Sequence, residues 1–298
     1  MSSRVHSGAT AMRSAEFATL KQSSNVPLPR RSASLTSFRS VVWGYWKKNG
    51  RHELPWRKTN DPYKVLVSEV MLQQTQVDRV IPKYREFLKA FPTIRALARA
   101  RLADVLRVWS GLGYNRRGKY LHDAAKVIVT TYGGRVPSDY PKLCELPGVG
   151  DYTAKAVRVF AWNKPDVLIE TNIRTAFIHR FYSSILQKTA IADSEILPLL
   201  HCVAKGKDPR AWHWALMDYG AHLKRSGIST NHRSSHYAKQ TIFEGSRRQV
   251  RGAILRALSS GASMNDLRSR SLGRFEQALA GLARDGLIVG EKGKWRIA

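Results

Sequence analysis

Acidic residues are scarce in this chain of 298: 22 Asp and Glu stand against 50 Lys and Arg, for a net charge of +28. Cysteine is rarer still, with only Cys144 and Cys202. Two thiols exclude a disulfide scaffold and cannot supply four thiolates to an iron–sulfur cluster. The chain therefore reads as one that works inside a cell, in a reducing compartment. No apolar run approaches the ~18 residues of a membrane-spanning helix, so no membrane association is expected. What is present suffices for a packed core: 43% of residues are apolar and 9% aromatic, which excludes wholesale disorder. The length suits a main domain with a small satellite.

The positive charge is distributed. Residues 1–52 carry +8, residues 53–244 carry +13 and residues 245–298 carry +7. One basic tail would suggest a targeting patch or a membrane surface. Three basic segments suggest a polyanion contacted over most of the surface, with nucleic acid the natural candidate.

Residues 1–36, rich in Ser, Arg and Ala with Glu16 as the only acid, read as a disordered basic arm. Its composition fits an organellar transit peptide or an arm on a bacterial, nucleoid-associated cytoplasmic protein. Order is expected from about Ser37, where Phe38, Val41, Val42 and Tyr45 recur at helical spacing. Helical patterns then follow one another, separated by Gly and Pro breaks, and no alternating pattern appears before residue 285. The body, residues 37–245, is all-α. Residues 222–245 break the pattern and are expected to be held by Trp212, Trp214 and Tyr237, with Cys144 and Cys202 buried as small apolar residues. Residues 246–298 predict three short helices and a hairpin, a winged-helix-like (α+β) module whose third helix could enter a major groove, or which could serve protein contacts.

Asp61 as N-cap and Pro62 at the first position predict a helix running towards Val77. Glu69, Gln73 and Gln76 would then form one polar stripe on a mostly buried helix. A carboxylate there costs several kcal/mol unless it is paired or faces a wet cleft, and periodicity leaves both readings open. Leu146-Pro147-Gly148-Val149-Gly150, followed by Asp151-Tyr152-Thr153, predicts a tight turn between two helices. Backbone amides beside a helix N-terminus suit a phosphate oxygen, with no reading of sequence.

These segments occur in order with Leu54-Pro55-Trp56-Arg57, Ser68-to-Val77 and Trp109-Ser110-Gly111-Leu112-Gly113-Tyr114. Together, over residues 38 to about 225, they closely resemble the adenine DNA glycosylases (the MutY type) of the helix-hairpin-helix superfamily. The resemblance implies two helical lobes, residues 64–164 carrying the hairpin 146–153, and residues 37–63 plus 165–245, with a flipped base in the groove between them. It implies removal of adenine opposite 8-oxoguanine or G in double-stranded DNA by a monomer. By the same resemblance Glu69 is the acid that protonates the departing adenine, and Tyr152 lines the site. Asn172 stands beside the second carboxylate, and Gln73, Gln74 and Tyr114 lie near the opposite base and the opened stack. The chemistry asks for these types independently: the nucleotide must leave the stack, adenine departs well only when protonated, and the sugar cation needs an anion beside it.

The sequence departs from that family in several places. Glu170 stands where an Asp supplies the second carboxylate, so it either stabilises the sugar cation or only favours the N-terminus of the helix from Thr171. Lys224, Asn231, Ser234 and Gln240 occupy the positions of the four cluster cysteines, so no iron–sulfur cofactor is expected. His222, His232 and His236 lack the thiolates or acids for a zinc replacement, and no metal site is expected. The usual C-terminal domain for reading 8-oxoguanine is replaced by the winged-helix-like segment, and Asn115 follows Tyr114 where a second Tyr is common. Tyr152 in place of a Schiff-base Lys implies a monofunctional enzyme, Lys155 being a weak substitute. Two alternatives remain at this point: a thymine or uracil mismatch glycosylase, and a DNA-binding protein without activity on the same scaffold.

Overall fold

The structure, a computed structural model, describes residues 31–184, 190–238, 242–270, 273–291 and 294–298. Of the basic arm expected over 1–36, residues 1–30 fall outside the described residues, as does Gln240. Helix α1 begins at Arg31, earlier than the expected Ser37, and runs to Asn49. It is followed by α2 (Pro62–Leu72), α3 (Val77–Ala90), α4 (Ile94–Arg99), α5 (Leu102–Trp109) and α6 (Arg116–Thr131). Then come α7 (Tyr140–Cys144), α8 (Asp151–Trp162), α9 (Thr171–Tyr182), α10 (Asp193–Ala204) and α11 (Pro209–Arg225). The C-terminal part adds α12 (Arg247–Ser260), α13 (Asn265–Arg270), α14 (Arg274–Arg284) and the antiparallel pair β1 (Ile288–Glu291) and β2 (Lys294–Ile297), with Ile288 opposite Ile297. The fold is all-α with a small mixed module at the end.

Local chemistry starts and stops these helices. Asp61 accepts from the Tyr63 and Lys64 amides at the head of α2, and Pro62 follows it. Asp208 caps α11 through the Ala211 amide and Ser246 caps α12 through the Gln249 amide. Asn163 ends α8 in the left-handed region at φ +55°, a conformation asparagine tolerates better than most residues.

Helix α2 ends at Leu72, short of the expected Val77, so the predicted Glu69–Gln73–Gln76 stripe does not lie on one helix. Gln73 caps the end of α2, Gln74 turns the chain at φ +53°, and Gln76 precedes α3. The periodicity persisted across the break because α3 resumes a helical pattern four residues later.

One lobe packs α2 against α8 and α4 against α6; the other packs α9 and α1 against α11. A single apolar core joins them, from Phe38 and Val42 through Leu66, Trp109 and Val157 to Phe177 and Trp212. Burial of both Cys144 and Cys202 was the wrong expectation: both are exposed. Residues 222–225 are the last turn of α11 rather than part of a break. The segment beyond is not gathered around tryptophans: Trp212 packs on Trp43, Trp214 on Phe160, and Tyr237 is 48% exposed. Hydrogen bonds hold it instead, from Thr230 Oγ1 to the Thr175 carbonyl, from Arg233 Nη1 to the Tyr182 carbonyl, and through a bridge of Ile191 with buried Ser234.

The closest approach between helices decides where the second lobe's functional end sits. Gly220 on α11 leaves no room for a side chain: a Cβ there would lie 2.0 Å from the Asn172 carbonyl oxygen at the head of α9. Gly220→Ala would gain about 1 kcal/mol of helix propensity, but it would force two backbones apart, an overpacking cost of about 1–3 kcal/mol or more. We expect a net loss of stability in urea unfolding; a midpoint at or above that of the parent protein would contradict the close approach.

Candidate active site

Glu69 lies buried on α2, within electrostatic reach of Tyr152 of α8 and Glu170 at the head of α9. Burial, then the nearby Glu170 carboxylate, pushes the Glu69 pKa up to about 8, against a smaller opposing pull from Arg57. The acid is therefore largely protonated at neutral pH. The Tyr152 phenol is held far above its usual range by burial and by both carboxylates, so it remains neutral.

Glu170 does two things at once. As N-cap of α9 it accepts from the Ile173 amide at 3.0 Å and from Asn172 Nδ2 at 3.1 Å, and it faces Glu69 and Tyr152 electrostatically. Burial raises its pKa, against smaller opposing effects of the hydrogen bonds from residues 172 and 173 and the charges of Lys224 and Arg174. Capping and proximity to Glu69 coexist: the cap holds the carboxylate within electrostatic reach of Glu69 and Tyr152.

Behind Glu69 a buried ion cluster supplies the positive charge. Asp218 on α11 accepts from both Nη atoms of Arg57, at 2.7 and 2.9 Å, and from the Arg51 amide and Nε, at 2.9 and 2.6 Å. Arg57 also lies over the Trp214 ring. Asp218 compensates Arg57 at close range, so the guanidinium tempers Glu69 without ionising it.

The hairpin connects α7 to α8. Gly148 adopts φ +75°, and a Cβ there would lie 2.6 Å from Cβ of Tyr120, so the turn needs glycine twice over. Leu146 and Val149 are buried, Pro147 is half-buried, and Gly148 and Gly150 are exposed. The N-terminus of α8 carries no side-chain cap at Gly150, which leaves its first-turn amides for an anion. Gln73 Nε2 donates to Thr153 Oγ1 at 3.1 Å, joining this turn to the end of α2.

Arg117, on α6, had no assigned role in the sequence, yet it organises the groove's edge. Its Nη1 donates to the Val70, Met71 and Gln73 carbonyls, and its Nη2 to Thr75 Oγ1 and the Leu112 and Gly113 carbonyls. The guanidinium lies over the Trp109 and Tyr114 rings, and burial lowers its pKa to about 10, still charged at neutral pH. It caps the negative end of α2 and fixes the loops bearing Gln74 and Tyr114, which both adopt positive φ, +53° and +47°. The assigned residues thus fall into two places. Glu69, Tyr152, Glu170 and Asn172 lie together, with Gln73 bonded to Thr153 beside them, while Gln73, Gln74 and Tyr114 all line a cleft against α12. Arg57, Arg117, Asp218 and Gly220 went unassigned; an Asp within the apolar stretch Trp214-Ala215-Leu216-Met217-Asp218 is the same signal that singled out Glu69. Among the described residues no three His, Cys, Asp or Glu side chains gather to hold a metal ion. His222 stacks on Tyr45, His232 meets the Ser229 carbonyl and His236 faces Asp193.

The sequence model of the HhH-GPD superfamily of base excision DNA repair proteins matches residues 67–205, the stretch that holds every groove residue just described. The adenine DNA glycosylase of Mycolicibacterium smegmatis is 33% identical over 265 residues, covering 82% of this chain and 90% of that protein. The chain belongs to the HhH-GPD superfamily. Another member, the adenine DNA glycosylase of Mycobacterium tuberculosis, is 45% identical over 130 residues, 43% of each chain. The solved structure of a thermostable thymine-DNA glycosylase, 26% identical, superposes with a TM-score of 0.56 over 63% of this chain and 87% of that one. The superfamily match ends before the C-terminal module.

Replacing Arg117 by Met keeps much of the volume and removes every donor. Several carbonyls at the end of α2 and in the 112–114 loop then lose their partner in a buried setting, at about 1–3 kcal/mol for each that water does not reach. We expect a loss of about 3 kcal/mol or more in urea unfolding; a loss below about 1 kcal/mol would mean the loops hold themselves.

Proposed function

We propose that this protein is a monofunctional adenine DNA glycosylase of base excision repair that releases adenine mispaired with 8-oxoguanine or G in double-stranded DNA. The observation that carries the reading is the buried pair Glu69 and Glu170, one carboxyl held neutral near pH 7 and one supplied with hydrogen bonds, facing a common groove with Tyr152. Glu69 gives its proton to the departing adenine, and Glu170 as a carboxylate stabilises the cation left on the sugar, which water then attacks. Asn172 orients Glu170, and Tyr152 fills the groove beside both. Removing a base requires its extrusion from the stack, and the uncapped turn at 146–150 suits the phosphate that anchors the opened strand. A net charge of +28 supports the polyanion partner. Lys155 is engaged by Asp151 at 2.7 Å and lies over Tyr140, which supports hydrolysis without a Schiff base.

The reading is also of an enzyme that works without an iron–sulfur cluster. A lysine, an asparagine, a serine and a glutamine supply no thiolate for iron; Lys224 lies in the last turn of α11, and Asn231 and Ser234 lie in a segment tied to α9 and Ile191 by hydrogen bonds. The thymine reading shares the fold, but a neutral acid is needed more by a departing purine than by a pyrimidine.

Glu69→Gln should abolish adenine release in single-turnover assays while duplex affinity stays within a few fold, and release by the parent should fall as pH rises through about 8. The parent's stability should fall over the same rise in pH. A buried carboxyl whose pKa is raised from about 4.5 to about 8 costs nothing below the lower value and progressively more as pH rises to the upper one. The Gln variant should therefore gain in melting temperature on the parent between pH 5 and 9. Near-parental release by the variant would remove Glu69 from the chemistry.

Glu170→Gln retains an acceptor for the Ile173 amide but removes the charge. We expect about a hundredfold slower base release with stability changed by about 1 kcal/mol or less, and measurable release by Glu170→Asp. Fast release with a lowered melting temperature would leave Glu170 only its cap.

A further inference from the structure

The C-terminal module is not a tethered appendage. Leu106 of α5 is buried in the module's own core with Val250, Ile254 and Leu282, so α12 is docked against the catalytic lobe. A second joint lies at the turn after α14. There Asp285 accepts from Nη2 of Arg251 on α12 and pairs at 3.6 Å with Nε of Arg116, the first residue of α6. A Cβ on the next residue, Gly286, would lie 3.3 Å from Cε of Lys119, so the turn sits directly on α6. Arg248 adds a third tie, its Nη1 donating to Tyr114 Oη at 2.6 Å.

Beside the second joint, α6, α12 and α14 enclose a cavity of about 530 Å³. Arg116, Arg247, Arg248, Arg251 and Arg284 line it, and Asp285 is the only acid among its described lining residues. That one carboxylate is already shared between Arg116 and Arg251. Among the described residues, Arg247 and Arg284 have no carboxylate within ion-pair distance, and both are exposed. Gathering guanidinium groups in this way costs repulsion that a multivalent anion relieves. Their planar forks match pairs of phosphate oxygens.

The patterning of the module gives its third helix, α14, a possible place in a major groove, but the exposed side of α14 carries little with which to read a base. Its first turn is committed elsewhere: Arg274 donates to the Gly245 carbonyl, and Glu276 accepts from Arg268 Nε at 2.7 Å. Its cavity side runs Gln277, Ala280, Gly281 and Arg284, the spacing of one helix face. Ala280 and Gly281 offer no side-chain donor or acceptor, and direct readout of base edges depends on such groups. A Cβ on Gly281 would lie 2.8 Å from Arg251 Nη1, so the bare face makes room for a guanidinium instead. A floor of small residues between arginines admits a sugar–phosphate backbone, whose contacts carry no sequence information.

The run of cations continues towards the catalytic lobe. Arg116, Arg248, Arg251 and Asp285 also line the adjoining cavity, together with Gln73 and Gln74 at the end of α2. A row of arginines suits a ligand whose negative charges repeat along a line, which a nucleic-acid strand supplies and a single small anion does not.

We propose that this arginine-lined cavity is a site for backbone phosphates of the duplex beyond the opened base pair, through which the module grips DNA without reading its sequence. The proposal takes only the duplex partner from the glycosylase reading above, not the base that is released.

The test is duplex binding by the full chain, followed by fluorescence anisotropy from about 50 to 200 mM salt. The parent is compared with the double variant Arg247→Gln, Arg284→Gln, whose melting temperature is measured first. A second double variant, Lys126→Gln, Arg135→Gln, removes the same charge towards the other end of α6 and just beyond it. Two fully paired duplexes of unrelated sequence serve as probes, with inorganic tripolyphosphate as the small-anion probe. The Arg247, Arg284 variant should bind both duplexes about tenfold more weakly at the low-salt end and lose about two from the slope of log affinity against log salt. The Lys126, Arg135 variant should keep the parental slope. A parental slope in the first variant would overturn the proposal, and if tripolyphosphate binding is lost with it, the site belongs to a small anion. Equal losses in both variants would reduce the effect to net charge, and a loss on one duplex only would give the module a base-reading helix; either result also overturns it. Base release is assayed separately on an adenine-mismatch duplex: no release with the slope loss intact would fail the glycosylase reading and leave this site standing.

Discussion

A single buried guanidinium sets the edge of the groove. Arg117 meets carbonyls from the end of α2 and from the loop that follows α5, and it has no carboxylate in that shell. Its charge is met by the negative end of a helix and by peptide dipoles. Once it is in place, α2 must stop at Leu72, Gln73 must turn towards Thr153, and Gln74 and Tyr114 must hold positive φ. Strain at two non-glycine residues is sustained because six acceptors over-determine the loops around them.

The acid chemistry depends on a balance of the same kind. Two carboxylates in one buried groove would repel and both protonate without help. Glu170 is supplied with donors by its own helix, and Glu69 is buried with no such donor among the described residues, its pKa pushed up by burial, so the proton has a preferred home. Arg57 would upset this by drawing Glu69 to the ionised form, and Asp218 prevents it by taking both of its Nη atoms. Gly220 brings α11 close enough for the head of α9 to reach the groove. The longer Glu at position 170 is accommodated while it still accepts from its own helix's amide.

The C-terminal module enlarges the same surface. Sharing Leu106 with the catalytic lobe costs the module independence and fixes Arg248 at Tyr114. The module's +7 adds to the positive charge of the catalytic body, which strengthens attraction to a polyanion.

The amino-acid sequence alone determined that the body is helical, where most helices begin, and that the hairpin turns at Gly148. Those are properties of local spacing, capping and glycine, which neighbouring residues decide. It misplaced the end of α2, because apolar periodicity continues into α3 and the break is imposed by Arg117, more than forty positions away in the chain. It could not decide between capping and catalysis for Glu170, since the two readings differ only in what lies across the groove. It placed Cys144 and Cys202 inside by residue type, whereas the packing of α7 and α10 puts both at the surface. The roles of Arg57, Asp218, Gly220 and Arg248 come from partners distant in sequence, such as Asn172 across from Gly220 and Tyr114 beneath Arg248. Contacts of that kind are made by tertiary packing, and no local pattern encodes which partner a buried charge or a bare glycine will meet.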